Sequence, residues 1–227
     1  MDSKNQTTLM VRAGNTALRN KTSQVSAIQR AEAGATDYVC HLSPAQVRLI
    51  AAVAGQNKRH GERNALLIKT LFDGALRVSE GLGIRPCDLQ QTPDGWVINI
   101  MGKGSKPGEA AVTPTVAAEL QAYAYRRHIS ETERIFPLSR SQAFRIITDA
   151  FGRAGVRRPS IKSDHVGAVH VLRHSGAIAR LQASGNPKSV QEQLRHKTAL
   201  MTLRYLKTLG HDEAMVTQQK VDLWQGQ

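Results

Sequence analysis

Apolar positions recur at helical spacing in several separated stretches. Val47, Leu49, Ile50 and Val53 follow Ser43-Pro44, a capping residue and a first-turn proline, so a helix is predicted to start just after Leu42. His60-Gly61 interrupts it, and Asn64–Phe72 (NALLIKTLF) reads as a buried helix. Period-two and β-rich runs come next: WVINIM at 96–101 and EAAVT at 109–113, separated by the turn material GKGSKPG. A strand near Leu89, joined through Pro93-Asp94-Gly95, completes a predicted three-stranded antiparallel sheet. Helical patterns return over Thr115–Arg127, over Ser141–Ala154 and through His170–Arg180, the last stopped by Gly185-Asn186-Pro187. Short helices over Ser189–Leu194 and Met201–Leu206 follow, and Asp212–Trp224 carries Met215, Val216, Val221, Leu223 and Trp224 as a last helix. The pattern predicts a mainly α fold with a small antiparallel β-sheet (α+β). Residues 1–41 are expected to form a polar arm whose helical pattern at Ala17–Ala31 is poor, 42–210 one domain and 211–227 a tail helix.

Charge sharpens this picture. Thirty-one Lys and Arg oppose 18 Asp and Glu, for a net charge of +13 and a pI near 10.3. The stretch 139–207 holds 13 Lys or Arg and 3 Asp or Glu, a local balance of +10. Such clustering is the footprint of a polyanion binder, nucleic acid above all. Cys40 and Cys87 stand alone, with no C-x-x-C and no metal-ligand spacing, which argues against a disulfide framework or zinc site. No apolar run reaches membrane-spanning length, and the start MDSKNQTT lacks a signal-peptide core, so a cytoplasmic setting without membrane contact is expected.

The candidate chemistry lies between His170 and Tyr205. His170 and Arg173, three apart, share a helix face and can converge on one ligand. An arginine fork beside imidazoles suits a phosphate, and His196 and Tyr205 follow in the same basic stretch. A tyrosine beside bound phosphate is either a half-buried packing residue or a nucleophile. Arg77 and Glu80, also three apart, are by themselves a local ion pair. His174 alone reads as a core or surface histidine.

Four boxes in order, ALRVSE from residue 75, GKGSK from 102, HVLRH from 170 and LRHKTALMTLRY ending at 205, resemble the tyrosine recombinases, including the phage-type integrases, over roughly residues 42–210. The resemblance implies the catalytic-domain fold of that family in a short form lacking the helical clamp domain its members commonly carry. It implies a site-specific recombinase that cleaves and rejoins DNA through a 3′-phosphotyrosyl link, by integration, excision, inversion or resolution. Arg77 and Arg173 would clamp the scissile phosphate, with Glu80 orienting Arg77. His196 would donate to the same oxygens, and Tyr205 would attack. Lys103, on the hairpin turn, would protonate the leaving 5′-oxygen, and His170 would assist proton transfer. No metal and no cofactor is required. The chain departs from the family at Arg195, where glycine is usual, and at Leu203, where threonine is frequent, which bears on geometry more than on reacting groups.

The expected partner is double-stranded DNA, bound by a homotetramer on two synapsed sites that is a monomer or dimer off DNA, with DNA-bending accessory proteins optional and a nucleoid-associated setting. Arg140, Gln142 and Arg145 share a polar, basic helix face that would read a major groove or else serve as an ordinary amphipathic surface. Arg157, Arg158 and Lys162, in the loop before the HVLRH box, are expected to meet backbone phosphates, and Lys106 on the hairpin turn is expected to bind DNA and is the alternative to Lys103. The rival functions are a type IB topoisomerase-like strand relaxase and a DNA-binding regulator that does not cleave.

Overall fold

The structure is a computed structural model that describes residues 39–102, 107–157, 167–194 and 199–219, without the side chains of 199–201 and 214–219. The fold below belongs to the unit Tyr38–Gln227. The arm expected over 1–41 lies almost wholly outside the described residues, as do residues 220–227 of the expected tail.

Helix α1 (Pro44–Gly55) opens on a capping box: the Gln46 backbone N–H donates to Ser43 Oγ, and the Ser43 N–H donates to Gln46 Oε1 at 2.9 Å. Helix α2 (Gly61–Asp73) buries Leu66, Leu67, Ile68 and Leu71, the run that marked it as a core helix. A one-turn helix, α3 (Val78–Gly81), follows a tight turn at Ala75, whose φ of 46° is the left-handed region that costs an L-residue about 1 kcal/mol.

Strands β1 (Leu89–Thr92), β2 (Gly95–Met101) and β3 (Pro107–Val112) form one antiparallel sheet in sequence order. Trp96 pairs with Val112 and Ile98 with Ala110, so Ile98, Ile100, Ala110 and Val112 turn one face to the core. Thr113, expected in the last strand, instead leaves the sheet to cap helix α4 (Pro114–Arg126), accepting from the Val116 N–H. Helix α5 (Arg140–Arg153) is capped by Ser139.

Helix α6 (Ala168–Ser184) runs through the middle of the domain and ends at Gly185, whose φ of 62° is the left-handed cap that glycine supplies. Gly176 on α6 has a different reason. A Cβ there would lie 1.9 Å from the Phe72 carbonyl oxygen, so only glycine lets α6 press against the end of α2. Helix α7 (Pro187–Leu194) and helix α8 (Ala199–Gln219) complete the described chain. The two separate helices expected over 201–206 and from 212 are one. Gly210 weakens a helix by only about 1 kcal/mol, and Tyr205 and Leu209, four apart, are buried on one face in the turn leading up to it.

The main core lies between α1, α2, the sheet, α4, α5 and the first half of α6. A second cluster joins α6, α7 and α8: Val39, Ala75, Ala177, Ile178, Leu181, Val190, Leu194, Tyr205 and Leu209. No described helix is long and apolar enough to cross a membrane.

Candidate active site

Arg77 is the N-cap residue of α3, and Glu80 stands at its third position. From there Glu80 reaches back: Oε2 accepts the Arg77 backbone N–H at 2.7 Å, and Oε1 accepts from the Arg77 guanidinium at 2.8 Å. Glu80 is 3% exposed. On its other side, Arg173 Nη1 of α6 lies 3.5 Å from Oε2. One buried carboxylate therefore holds two guanidiniums close together, where two like charges alone would repel.

Arg173 is 5% exposed and is fixed further by two carbonyls. It donates to Ala75 O at 2.7 Å and to Leu194 O at 2.9 Å. The first carbonyl belongs to the left-handed turn before α3, and the second to the last residue of α7. The pair thus ties together three segments that are far apart in the chain.

Residues 170, 173 and 174 occupy one face of α6. The His170 imidazole is pushed below its ordinary pKa, first by burial and then by the positive charge of Arg173 and Arg77. The His174 ring centroid is 6.0 Å from that of His170 and 5.9 Å from that of Tyr205. Its Nδ1 is 2.8 Å from the Tyr205 hydroxyl. Tyr205, at 2% exposure, is packed in the second apolar cluster. Burial pushes its phenol up to about 12, outweighing the opposite pull of the Arg173, Arg204 and Arg77 guanidiniums.

Beside this group, a hollow of about 440 Å³ is lined by Val78, Arg140, Phe144, Arg145 and His170, among others. Arg140 and Arg145 of α5 are exposed. Gln142 is exposed too, but its side-chain oxygen accepts the Ser139 N–H at 2.8 Å and so serves the capping box of α5. Arg157 is exposed just beyond the far end of α5, about 20 Å along that helix from Arg140, and is not gathered with them. A second hollow, of about 630 Å³, lies between Ser79-Glu80 and the hairpin residues Asn99, Met101 and Glu109.

The structure therefore brings together Arg77, Glu80, His170, Arg173 and Tyr205 from the sequence-predicted set, and sets Arg140 and Arg145 beside His170. Lys103, Lys106, Arg158, Lys162 and His196 lie outside the described residues, as does Arg195; Leu203 is exposed. Sequence reasoning passed over two residues. His174 reads in the sequence as a lone histidine, although its position four after His170 and next to Arg173 places it on the same helix face. Gln193 of α7 pairs with both backbone groups of Ala111 on β3, accepting the N–H at 3.0 Å and donating to the carbonyl at 2.9 Å. It fastens the end of α7 to the hairpin, and nothing in the local pattern signals it. Among the described residues, no three His, Cys, Asp or Glu are grouped to hold a metal ion.

Chemically, the cluster offers fixed guanidinium donors for an anion, with a phenol and two imidazoles alongside. Comparison with known proteins gives it a context. Tyrosine recombinase XerH of Campylobacter jejuni is 27% identical over 168 residues, 71% of this chain and 46% of XerH. The chain spans about half the length of the curated relatives it matches. Among solved structures, the XerH site-specific recombinase bound to difH substrate in a pre-cleavage complex is similar with a TM-score of 0.63 at 21% identity, over 78% of this chain and 52% of that one. The catalytic domain of bacteriophage HP1 integrase gives a TM-score of 0.56 at 20% identity, over 79% of this chain and 94% of that one. These likenesses show the fold of a tyrosine recombinase catalytic domain. The family model described as the phage integrase family matches residues 41–211, and with that match over most of its length the chain belongs to this family.

Proposed function

We propose that the chain is a site-specific DNA recombinase that breaks and rejoins DNA through a 3′-phosphotyrosyl intermediate. The observation that carries this reading is the Arg77–Glu80–Arg173 arrangement, two guanidiniums bracketing one buried carboxylate within electrostatic reach of the Tyr205 phenol. Support also comes from XerH, which was crystallised with its difH substrate before and after cleavage.

In this reading Arg77 and Arg173 bind the non-bridging oxygens of the scissile phosphate, where negative charge grows during attack. Donors fixed before the reaction stabilise that charge without having to reorganise. The Tyr205 oxygen bonds to phosphorus as the bond to the 5′-oxygen breaks, and Lys103 gives that oxygen its proton. His196 donates to the phosphate. The phosphotyrosyl ester keeps the energy of the broken diester, so a 5′-hydroxyl from a partner strand reverses the step without a nucleotide cofactor. Arg140 and Arg145, beside His170 in the basic hollow, carry the flanking duplex, joined by Lys106, Arg157, Arg158 and Lys162 as phosphate contacts and by Gln142. The working form is a homotetramer on two synapsed sites, in a cytoplasmic, nucleoid-associated setting, with accessory bending proteins optional.

The test starts from the sequence the protein protects on DNA, rebuilt as a nicked suicide substrate. The wild-type chain is expected to form a covalent adduct that survives denaturation. Tyr205→Phe is expected to bind the same DNA without forming it. Binding with no adduct from the wild type, or an adduct that persists in Tyr205→Phe, would refute the assignment.

A further inference from the structure

We propose that His174 is a further catalytic residue of this site: it holds the Tyr205 hydroxyl by a hydrogen bond and takes its proton as the phenol oxygen bonds to phosphorus. The proposal rests on the recombinase reading above and assigns the nucleophile-side proton, which a cationic pocket alone leaves without an acceptor.

The geometry is direct. His174 Nδ1 lies 2.8 Å from the Tyr205 hydroxyl, within the reach a general base needs. The phenol sits at 2% exposure beside Ala177, Ile178 and Leu209, an apolar setting that keeps bulk water from collecting the proton. Burial also holds the proton on the phenol, so an acceptor has to be built into the site. His170 instead lines the hollow shared with Arg140 and Arg145, whereas the Tyr205 hydroxyl is hydrogen-bonded to His174.

His174 is also held rigidly. It stands between Arg173, fixed on the Ala75 and Leu194 carbonyls, and Ser175, whose Oγ donates to Val171 O at 2.6 Å and accepts the Leu42 N–H at 2.8 Å. The phosphate clamp and the proton acceptor are thus adjacent residues of one helix, and their separation cannot drift with a loop.

The step balances. With the imidazole neutral and its proton on Nε2, Nδ1 accepts from the phenol. As the Tyr205 O–P bond forms and the P–O5′ bond breaks, the phenolic proton passes to Nδ1, leaving an imidazolium. A separate proton, from Lys103, goes to the 5′-oxygen. In the reverse step the imidazolium returns its proton to the departing phenolate.

Sulfur in place of the bridging 5′-oxygen separates the two proton transfers, because a thiolate leaves without being protonated. His174→Asn and His174→Gln keep a hydrogen-bonding amide at two different reaches but cannot take the proton. Both are expected to bind DNA and melt like the wild type, yet form the Tyr205 adduct slower by roughly 10²–10⁴-fold. The defect is expected on the oxygen and the sulfur substrates alike, whereas Lys103→Ala is expected to recover on sulfur. If one variant melts early, the other is read.

Near-wild-type adduct formation by either folded variant would overturn the proposal. So would rescue of the His174 variants by sulfur, which would move the residue to the leaving-group side. Absence of any adduct from the wild-type chain on DNA it binds would instead overturn the recombinase reading, and the His174 assignment with it.

Discussion

Glu80 accepts two hydrogen bonds from Arg77, one from the backbone N–H at 2.7 Å and one from the guanidinium at 2.8 Å. The first caps α3 and the second aims the arginine, so one carboxylate sets both the fold of the turn and the direction of the guanidinium proposed to hold the phosphate. Its contact with Arg173 at 3.5 Å adds a third duty.

Replacing Glu80 should therefore harm stability and chemistry together. Glu80→Ala leaves Arg173 buried beside an uncompensated gap and is expected to cost about 3 kcal/mol in urea denaturation. Glu80→Gln keeps the shape and can still accept from Arg77, so it is expected to cost less. Adduct formation on the suicide substrate should fall further than DNA affinity in both variants, since the clamp loses its aim while the basic surface remains.

Gly176 tests the close approach of α6 to α2. Gly176→Ala would place a methyl group 1.9 Å from the Phe72 carbonyl, with backbone on both sides and no flexible side chain to give way. A loss of about 3 kcal/mol or more is expected, seen as a lowered melting temperature. Because α6 carries His170, Arg173 and His174, the residual folded protein should also cleave poorly.

Alkaline pH should expose the burial of Tyr205. An unfolded phenol ionises near its ordinary value of about 10, while the folded one is pushed up to about 12. Below the lower value both states keep the proton and the stabilisation is complete. Between the two values only the unfolded state ionises, so stability falls as pH rises, by about 3 kcal/mol across the window. Denaturation profiles of the wild type and Tyr205→Phe should differ in this limb, with the variant flatter. Parallel profiles would mean that the phenol is not buried.

Arg140 and Arg145 line the hollow that also holds His170. Replacing both by alanine is expected to leave the melting temperature unchanged, since both are exposed on α5. DNA affinity should drop, and the slope of log affinity against log salt should become shallower by about 2, one for each lost phosphate contact. Titrations at several salt concentrations read this directly. A drop in affinity with no change in slope would assign these arginines to base edges instead.

Local chemistry was enough to determine most of the elements of this chain. Ser43-Pro44 starts α1 because a hydroxyl and a ring suit the first turn, and the GKGSKPG run separates two strands because β-rich residues flank turn formers. The resemblance carried by the order of the boxes pointed to Arg77, Glu80, His170, Arg173 and Tyr205, with Lys103 and His196, as one group, whereas spacing alone left Arg77 and Glu80 a local ion pair. Where only tertiary contacts decide, the sequence was silent or misleading. The interruption expected around residues 206–212 vanished, because burial of Tyr205 and Leu209 outweighs the weak propensity of Gly210. His174 looked incidental until α8 folded across α6 and set the Tyr205 hydroxyl 2.8 Å from its ring. Arg173 meets its two carbonyls, at Ala75 and Leu194, 98 and 21 residues away in the chain. Helix spacing reports which residues share a face, but it carries no information about what packs against that face.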